Sequence, residues 1–294
     1  MADPDRLEVR KTYKLYIGGK FPRTESGRSY LVNDAKGKPL ANACRASRKD
    51  VRDAVVAARK AFPGWSGATA YNRGQVLYRV AEMLEGRRDQ FVEEVVKAEG
   101  ATQRQAADAV AKAVDRWVWY AGWADKLAQV LGSANPVAGP YFNFSVPEPT
   151  GVVGLVAPAD SSLVGLVSRL APIIVSGNTA VVLTSQTRPL PAVTLGEVLA
   201  TSDLPGGVVN LLSGFTTELI GPLAAHMDVD ALDLAGLDLA LYRDAELAAA
   251  TNVKRVVAPL RLSQRAWLDD ARTQDPYWIA AFLEIKTVWH PIGV

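Results

Sequence analysis

Short apolar segments alternate with helical segments through the second half of this chain. Each apolar segment has the length of a strand, and each helical segment is long enough to lead from one strand to the next. Strands that are apolar throughout are typical of a sheet whose two faces are both covered. The sequence therefore predicts an α/β fold with a doubly wound parallel sheet. The predicted strands are residues 152–157, 180–183, 208–212, 231–234 and 253–257.

The first half of the sequence predicts a hairpin and a series of helices. Residues 13–17 alternate before two glycines, which is typical of a β-hairpin with a glycine turn. Ser47 and Asp50 have the spacing of a capping box at a helix start, and Pro63 is expected to end that helix. Further helices are predicted in the stretch ending at residue 174 and over residues 72–85, 89–99, 103–131, 191–200, 218–226 and 241–250.

Composition excludes several classes of function. Apolar residues make up 49% and charged residues 22% of the 294 residues, which is typical of a globular protein with an ample core. The 33 basic and 31 acidic residues nearly balance, so we expect no nucleic-acid or membrane partner. The longest apolar stretch, residues 151–177, is interrupted by Asp160 and Arg169, which favours buried strand and helix over a membrane span.

The cysteine, histidine and aspartate residues predict no metal site. The single Cys44 excludes an internal disulfide, and together with an N-terminus that lacks an apolar signal core it indicates a cytoplasmic protein. The two histidines, His226 and His290, lie far apart, and His226 is interpreted as a helix C-cap. Four aspartates lie close together, but their spacing does not fit a calcium loop, so they are interpreted as solvated turn residues. They are Asp228, Asp230, Asp233 and Asp238.

Several uninterrupted stretches resemble the aldehyde dehydrogenase family. Residues 148–158 are similar to the entry into the NAD(P)-binding domain of that family, and residues 171–183 and 204–210 are similar to later parts of it. The resemblance runs in order over roughly residues 12–257. It implies a Rossmann-like N-terminal domain, here made of residues 12–135 and 150–258.

The C-terminal sequence resembles the closing strand of the same family. In the family this strand belongs to a small β oligomerisation flap that pairs with a neighbouring subunit. The resemblance implies a flap made of residues 136–149 and 277–294, joined to the main domain by a linker at residues 259–276 that replaces the catalytic domain. The residues expected at the subunit interface are Phe142, Phe144, Ile285, Thr287 and Trp289.

The resemblance also implies which residues the family's chemistry needs. A thiolate nucleophile and a carboxylate base should follow Val257, and that sequence is absent here. The only thiol, Cys44, falls in a structural strand of the family. Asp160 stands where the family has an oxyanion-stabilising Asn, and a carboxylate would repel a developing oxyanion. We therefore predict no catalytic residue and interpret Asp160 as a helix N-cap.

The cofactor positions implied by the resemblance also depart from the family pattern. Thr184 replaces a ribose-contacting Lys, Thr216 replaces a glycine of the next turn, and Leu237 replaces a Ser that approaches the pyrophosphate. The chain is therefore expected to hold no cofactor, with NAD(P) binding left open. The degenerate cofactor-binding positions are Pro158, Asp160, Thr184, Gly214 and Gly236.

Three functions follow as hypotheses. The first is a non-catalytic aldehyde dehydrogenase-like subunit, a pseudoenzyme that assembles with itself or with a full-length aldehyde dehydrogenase through an exposed strand at residues 283–289. The second is an NAD(P)-dependent aldehyde oxidoreductase whose active site a partner chain completes. The third is a dinucleotide-binding sensor.

Overall fold

The computed structural model describes residues 9–293. The N-terminal part forms a small sheet of order β1-β3-β2, a layer of helices, and then the two strands that begin the flap. These elements are β1 (Thr12–Tyr13), β2 (Ser29–Asn33), β3 (Pro39–Cys44), α1 (Arg48–Ser66), α2 (Ala70–Glu85), α3 (Arg88–Glu99), α4 (Gln103–Ala121), α5 (Leu127–Leu131), β4 (Ser133–Asn135) and β5 (Tyr141–Pro149).

The central sheet has five parallel strands, which confirms the predicted α/β architecture. Its order, β10-β9-β6-β7-β8, reverses direction at β6, as in other doubly wound sheets. The elements are β6 (Val152–Val156), α6 (Val164–Val175), β7 (Thr179–Leu183), α7 (Leu190–Ala200), β8 (Val209–Leu212), α8 (Thr216–Ala224), β9 (Ala231–Asp233), α9 (Leu239–Ala249), a 3-10 turn (Ala250–Asn252) and β10 (Arg255–Val257).

The last part of the chain returns from the central sheet to the flap. It contains α10 (Gln264–Trp267), α11 (Asp270–Thr273), α12 (Pro276–Ala280) and β11 (Leu283–Pro291). Strand β11 pairs antiparallel with β5 over its whole length, from Leu283 opposite Pro149 to Pro291 opposite Tyr141. The flap is thus a three-stranded sheet of order β11-β5-β4, and the expected pairing of these two segments is confirmed.

The core lies on both faces of the central sheet. Every residue of β6, β7, β8, β9 and α6 is buried, which explains the continuous apolar runs in the sequence. Helix α1 crosses one face, and α6 with α4 covers the other. Among residues 9–293 no helix is both long and apolar enough to cross a membrane.

The predicted start of α1 is confirmed, but its predicted end is wrong. Ser47 accepts a hydrogen bond from the Asp50 backbone N–H, and the Asp50 carboxylate accepts from the Ser47 backbone N–H at 2.7 Å. The helix continues through Pro63 to Ser66. A proline in a helix removes one N–H donor, and burial of Trp65, only 2% exposed, holds the last turn in place.

Two other element predictions change. The helix predicted over residues 103–131 is two helices, because the chain leaves the helix at Gly122 and resumes at Leu127. The N-terminal hairpin is present but short: Ile17 and Lys20 exchange two backbone hydrogen bonds around the glycine turn, and the Leu15 N–H donates to Pro22 O at 3.1 Å. Tyr16 also exchanges two backbone hydrogen bonds with Leu211 of β8, so this segment extends the central sheet.

Residues 259–276 form more than a simple linker. Trp267 is 1% exposed and belongs to the same core cluster as Phe282, and Thr273 is fully buried. These residues pack against α4 and α6 on one side of the central sheet. Short helices of four residues carry almost no periodic signal, so only their tertiary contacts define them.

Candidate functional site

The five predicted cofactor positions lie at one edge of the central sheet. Pro158 and Asp160 follow β6, Thr184 follows β7, Gly214 follows β8, and Gly236 follows β9. Because the strands are parallel, their carboxyl ends meet at the same edge, where doubly wound sheets bind ligands. The structure therefore places these residues in one region of the molecule.

Thr184 is committed to the backbone of the neighbouring strand. Its side chain is buried, 2% exposed, and its Oγ1 donates to the carbonyl oxygen of Leu212 at 3.3 Å. Its backbone N–H donates to the same carbonyl at 3.0 Å. The side chain thus reaches inward to β8, and it offers no cation to a ribose beyond the sheet edge.

Gly236 is explained by close packing between two loops. Its N–H donates to Val156 O at 2.9 Å, and a Cβ added at this position would lie 2.0 Å from Ala157 O. No other residue fits there without moving the backbone. The glycine is therefore required whether or not a phosphate binds.

Leu237 fills the space where α8 and α9 face each other. It is 5% exposed and belongs to one buried cluster with Leu219 and Ile220 of α8 and Ala245 of α9. An isobutyl group in this position offers no hydrogen bond to a phosphate. It contributes instead to the core, at about 1.5–3 kcal/mol for a fully buried leucine.

The start of α8 carries an acidic side chain where a phosphate cradle would need none. Glu218 lies in the first turn and pairs with Arg45, whose guanidinium also lies 4.4 Å from the ring centre of Phe215. The hydrogen bond from Arg45 holds the pKa of Glu218 below its usual value. An ionised carboxylate at this helix start already interacts with the helix dipole and would repel an anion.

Asp160 does not cap α6, so that interpretation is wrong. The helix begins at Val164, and Leu163 at the N-cap position gives no side-chain cap; the Ser161 Oγ, two residues earlier, accepts from the Gly165 N–H at 2.9 Å. Ser161 is fully buried, whereas Asp160 is exposed to solvent. The buried position decides which of two adjacent polar residues reaches the helix start.

The loop between β6 and α6 is fixed by contacts that sequence reasoning missed. Ser185 Oγ donates to Ala159 O at 3.2 Å, and Arg188 Nη1 donates to Asp160 O at 2.9 Å. The Glu99 carboxylate accepts from both the N–H and the Oγ of Ser162, each at 2.7 Å. In the family this loop presents the oxyanion donor, and here two neighbouring elements, the β7–α7 loop and the end of α3, hold it by its backbone and by the Ser162 hydroxyl.

Glu99 also connects this loop to the C-terminal segment. Its second carboxylate oxygen accepts a hydrogen bond from Gln264 Nε2, which lies just before the buried Trp267. No sequence motif signals Glu99, because its partners lie 63 and 165 residues away.

The contacts of Thr184, Leu237 and Glu218 decide how the sheet edge relates to a cofactor. The residues at the sheet edge do not fit a dinucleotide through the contacts that the family resemblance implies.

The remaining candidates for chemistry have structural roles. Cys44 is 2% exposed at the end of β3, and its carbonyl oxygen accepts from Ser213 Oγ at 2.7 Å. His226 lies beyond the end of α8, so it is not the helix C-cap, and its Nδ1 accepts from the Asp228 N–H at 3.2 Å. In the part of the chain that the structure describes, no group of three or more His, Cys, Asp or Glu side chains could hold a metal ion.

Two of the four aspartates interpreted as solvated are ion-paired. Asp233 is fully buried and accepts from Arg169 Nε at 2.7 Å, while Asp230 pairs with Arg59 at 2.7 Å. The interpretation was wrong for Asp233 because its arginine partner lies on α6, 64 residues earlier. Asp238 is the N-cap of α9. This role is compatible with its interpretation as a turn residue.

The expected interface residues of the flap lie on two faces. Ile285, Thr287 and Trp289 stand opposite Pro147, Ser145 and Asn143 of β5, and residues that pair in this way share a face. Phe142 and Phe144 alternate with them and point to the other face, with their ring centres 5.3 Å apart. The two sets line the same strand pair from opposite sides. The exposed apolar members of both sets are Phe142 (51%), Ile285 (56%) and Trp289 (59%), and Thr287 is exposed as well.

A row of polar side chains crosses the first of these faces. Asn135 Nδ2 donates to Asn143 Oδ1 at 2.6 Å and to Ser145 Oγ at 2.9 Å, and Ser145 Oγ lies 2.9 Å from Thr287 Oγ1. This row links all three strands of the flap. It fixes the register of β11, whose outer side carries no strand among residues 9–293.

Comparisons with known proteins agree with this architecture. The model of the aldehyde dehydrogenase family matches residues 21–261. An aldehyde dehydrogenase of Aspergillus niger is 31% identical over 264 residues, which are 88% of this chain and 52% of that protein. Retinal dehydrogenase 2 of Gallus gallus is 33% identical, over 86% of this chain and 49% of its own length. The chain thus spans about half the length of these curated relatives.

Solved structures give the same result. HpcC from Thermus thermophilus superposes with a TM-score of 0.81 at 31% identity, covering 85% of this chain and 48% of that one. The NAD+ complex of an aldehyde dehydrogenase from Bacillus cereus superposes with a TM-score of 0.79 at 26% identity, covering 84% of this chain and 50% of that one. From the family match and these superpositions, the chain belongs to the aldehyde dehydrogenase family.

Proposed function

We propose that this chain is a non-catalytic subunit that assembles with itself or with a full-length aldehyde dehydrogenase. The observation that carries the proposal is the connection from β10 to the flap strand β11. This connection, residues 258–282, folds back onto α4 and α6 and buries Trp267 and Phe282. By the family resemblance, the nucleophile and base should lie in this interval, and the interval contains neither a Cys nor a Glu.

The sheet edge supports the same proposal. Thr184, Ser185 and Arg188 are engaged with the backbone of neighbouring strands and loops, and Leu237 is part of the core. Asp160 stands where the family places an oxyanion donor, and an ionised carboxylate has no proton to donate. These residues stabilise the fold at the positions where relatives would bind substrate and cofactor. The buried thiol of Cys44 suits a reducing cytoplasmic environment.

The flap supplies the surface for assembly. An edge strand presents unpaired N–H and C=O groups, and a strand from another chain can satisfy them. Strand β11 also exposes the large apolar side chains of Ile285 and Trp289. The inner side of β11 pairs with β5 over its whole length, so the strand is preorganised for pairing on its outer side.

The test is an assembly measurement with variants of one face. The tagged chain is mixed with a full-length aldehyde dehydrogenase from the same cells, and complex mass is measured by light scattering after size exclusion. We expect a complex with the natural chain and its loss with Ile285→Lys and Trp289→Lys. Tyr71→Lys, a comparable change at a 70% exposed position of α2 outside the flap, serves as the matched control. A chain that stays monomeric with and without the partner refutes the proposal.

A second candidate, NAD(P) binding, is favoured by the solved neighbours. An aldehyde dehydrogenase from Bacillus cereus and PnpE superpose on this chain in their complexes with NAD+. Calorimetric titration of the purified chain with NAD+ and NADP+ tests this candidate. Saturable binding would support a dinucleotide sensor, and aldehyde-dependent NADH formation with a partner present would support an enzyme completed in trans. We expect neither, because of Thr184 and Leu237.

A further inference from the structure

Helices α1 and α8 lie side by side and leave a groove between them. Both run from the carboxyl edge of the sheet toward its other edge. An ion pair between Arg45 and Glu218 joins them near their starts, and Arg59 of α1 pairs at 2.7 Å with Asp230 beyond the end of α8. The groove between these two ties has a volume of 780 Å³. It is thus preformed, and it lies on the side of α8 away from Leu237.

The floor of the groove is apolar and made of small residues: Gly221 and Pro222 of α8, and Ala225 just after it. Val51 of α1 borders the groove but is fully buried. A Cβ added at Gly221 would have no heavy atom within 4 Å, so this helical glycine faces open space. Neither packing nor a positive φ requires a glycine here, although glycine weakens a helix interior by about 1 kcal/mol relative to alanine.

The rim of the groove is cationic. Arg48, Lys49 and Arg52 line it and no lining residue is acidic; the remaining polar group, His226, adds no charge at neutral pH, because burial lowers its pKa. Lys49 pairs with Glu25 at 2.9 Å and Arg52 with its neighbour Asp53, in exposed pairs of the kind that contribute little. Arg48 forms no ion pair with any of residues 9–293. The rim can therefore exchange its present partners for carboxylates of another molecule.

Large apolar side chains continue the floor beyond the rim. Val56, one turn after Arg52, is 56% exposed, and Met227, next to His226, is 61% exposed. An apolar strip bordered by charge marks an interaction surface more often than scattered single residues do. From Arg48 to Val56 the strip measures about 12 Å along α1, or roughly two helical turns.

We propose that this groove docks an acidic amphipathic helix of a partner protein. Apolar side chains at helical spacing would occupy the floor, and the flanking carboxylates would meet Arg48, Lys49 and Arg52. A small anionic ligand fits less well, because the polar lining groups stand at the rim and none is buried at the floor to orient it. The groove does not involve the flap, so this proposal goes beyond the proposed assembly and can fail independently of it.

The experiment uses a fluorescent model peptide and the full chain. The peptide carries Leu at positions i, i+3, i+4 and i+7, with Glu and Ala elsewhere, and a second peptide has Lys in place of every Glu. Fluorescence anisotropy should give a Kd below about 100 μM for the acidic peptide. We expect weakening of about tenfold or more for the basic peptide and in high salt.

Two variants locate the binding. Gly221→Leu fills the open space and should weaken binding about tenfold or more, and Arg48→Glu should weaken it about fivefold. Gly64→Leu is the matched control, because Gly64 is also a helical glycine with no atom within 4 Å of an added Cβ. Equal binding to the natural chain and Gly221→Leu, or equal binding of both peptides, overturns the proposal. Saturable binding of dodecanoate without peptide binding overturns it in favour of an amphiphile site.

Discussion

Arg116 Nη1 donates to Asp270 Oδ1 at 2.6 Å and so joins helix α4 to the segment that follows β10. Arg116 is fully buried, and its other donors reach Ser168 Oγ, Trp267 O and Thr273 Oγ1. A buried guanidinium without a carboxylate partner is costly. The contact therefore makes residues 259–276 part of the folding unit.

Replacing Asp270→Asn should destabilise the chain by about 1–3 kcal/mol. The lower end reflects the 44% exposure of Asp270, since solvent reduces the interaction of exposed charges. Chemical denaturation at pH 7 measures the change. Asp125→Asn, which removes an exposed pair with Lys126, is the control and should change stability by less than about 0.5 kcal/mol. Equal effects of the two substitutions would contradict the role given to Arg116.

Asp270 should also make the free energy of unfolding depend on pH in the acid range. Burial raises the pKa of Asp270, but the hydrogen bonds from Lys112 and Arg116 lower it by a larger amount. The folded-state pKa therefore lies below the ordinary value of 3.8. Stability from a depressed pKa is present above the unfolded-state value and is lost as pH falls below it. The free energy of unfolding should change less between pH 5 and pH 2.5 (about the range of carboxylate titration) in Asp270→Asn than in the natural chain. Denaturation curves recorded at a series of pH values measure this change.

Removal of the buried side chain of Trp267, which anchors residues 259–276, should show that this segment is folded. Trp267→Ala removes a side chain that is 1% exposed and should cost about 3–5 kcal/mol of unfolding free energy. Tyr277→Ala, ten positions along in the same segment but 75% exposed, should cost less than about 0.5 kcal/mol. If both substitutions are nearly neutral, residues 259–276 behave as a linker.

Glu94 should make stability fall between mildly acidic and neutral pH. Burial raises its pKa from 4.5 to about 7, against the hydrogen bond from Thr194. A raised folded-state pKa means that its contribution is complete below pH 4.5 and is lost as pH rises through 7. Glu94→Gln should therefore be more stable than the natural chain at pH 8, by about 1–3 kcal/mol, and similar at pH 4.5.

The control for Glu94 is its neighbour on the same helix. Glu93 is exposed, and the hydrogen bond from Lys97 lowers its pKa. Glu93→Gln should give no stabilisation at high pH. A Glu94→Gln variant with the natural chain's dependence between the ordinary pKa of 4.5 and pH 8 (about one unit above the raised value) would show that burial does not raise the pKa of Glu94.

The buried pair of Arg169 and Asp233 gives a prediction about coupling. Both side chains are at most 1% exposed, and the ring of Trp278 covers the guanidinium at 4.3 Å. Arg169→Met leaves the fully buried Asp233 carboxyl, whose pKa burial already raises, without its cation, at an expected cost of about 3–5 kcal/mol. Adding Asp233→Asn should recover part of that loss. Strictly additive effects in the double-mutant cycle would contradict a direct pair.

The sequence predicts the fold well where the signal is local and periodic. The apolar strands of the central sheet and the capping box at Ser47 follow from side-chain patterns within one element. Predictions fail where a distant partner decides the structure. Asp233 is buried opposite Arg169, which lies 64 residues earlier, and Ser162 is bonded to Glu99, which lies 63 residues earlier.

The position of the candidate site could be predicted from the sequence, but the hydrogen bonds that its residues form could not. The five positions come from the family resemblance, and the parallel strand order of the structure explains why they meet at one edge of the sheet. The bonds from Ser185, Arg188 and Glu99 to the β6–α6 loop cross between elements that are far apart in sequence. No local pattern distinguishes such a bond from a free polar side chain.

The central claim is that the chain assembles and does not itself react. Its most direct test is the mass, by native mass spectrometry, of the complexes that the tagged chain forms in the cells that produce it. The account predicts a homo-oligomer or a complex with a full-length aldehyde dehydrogenase, in either case lost with Trp289→Lys and kept with Tyr71→Lys, a change outside the flap. A chain recovered only as a monomer would contradict it.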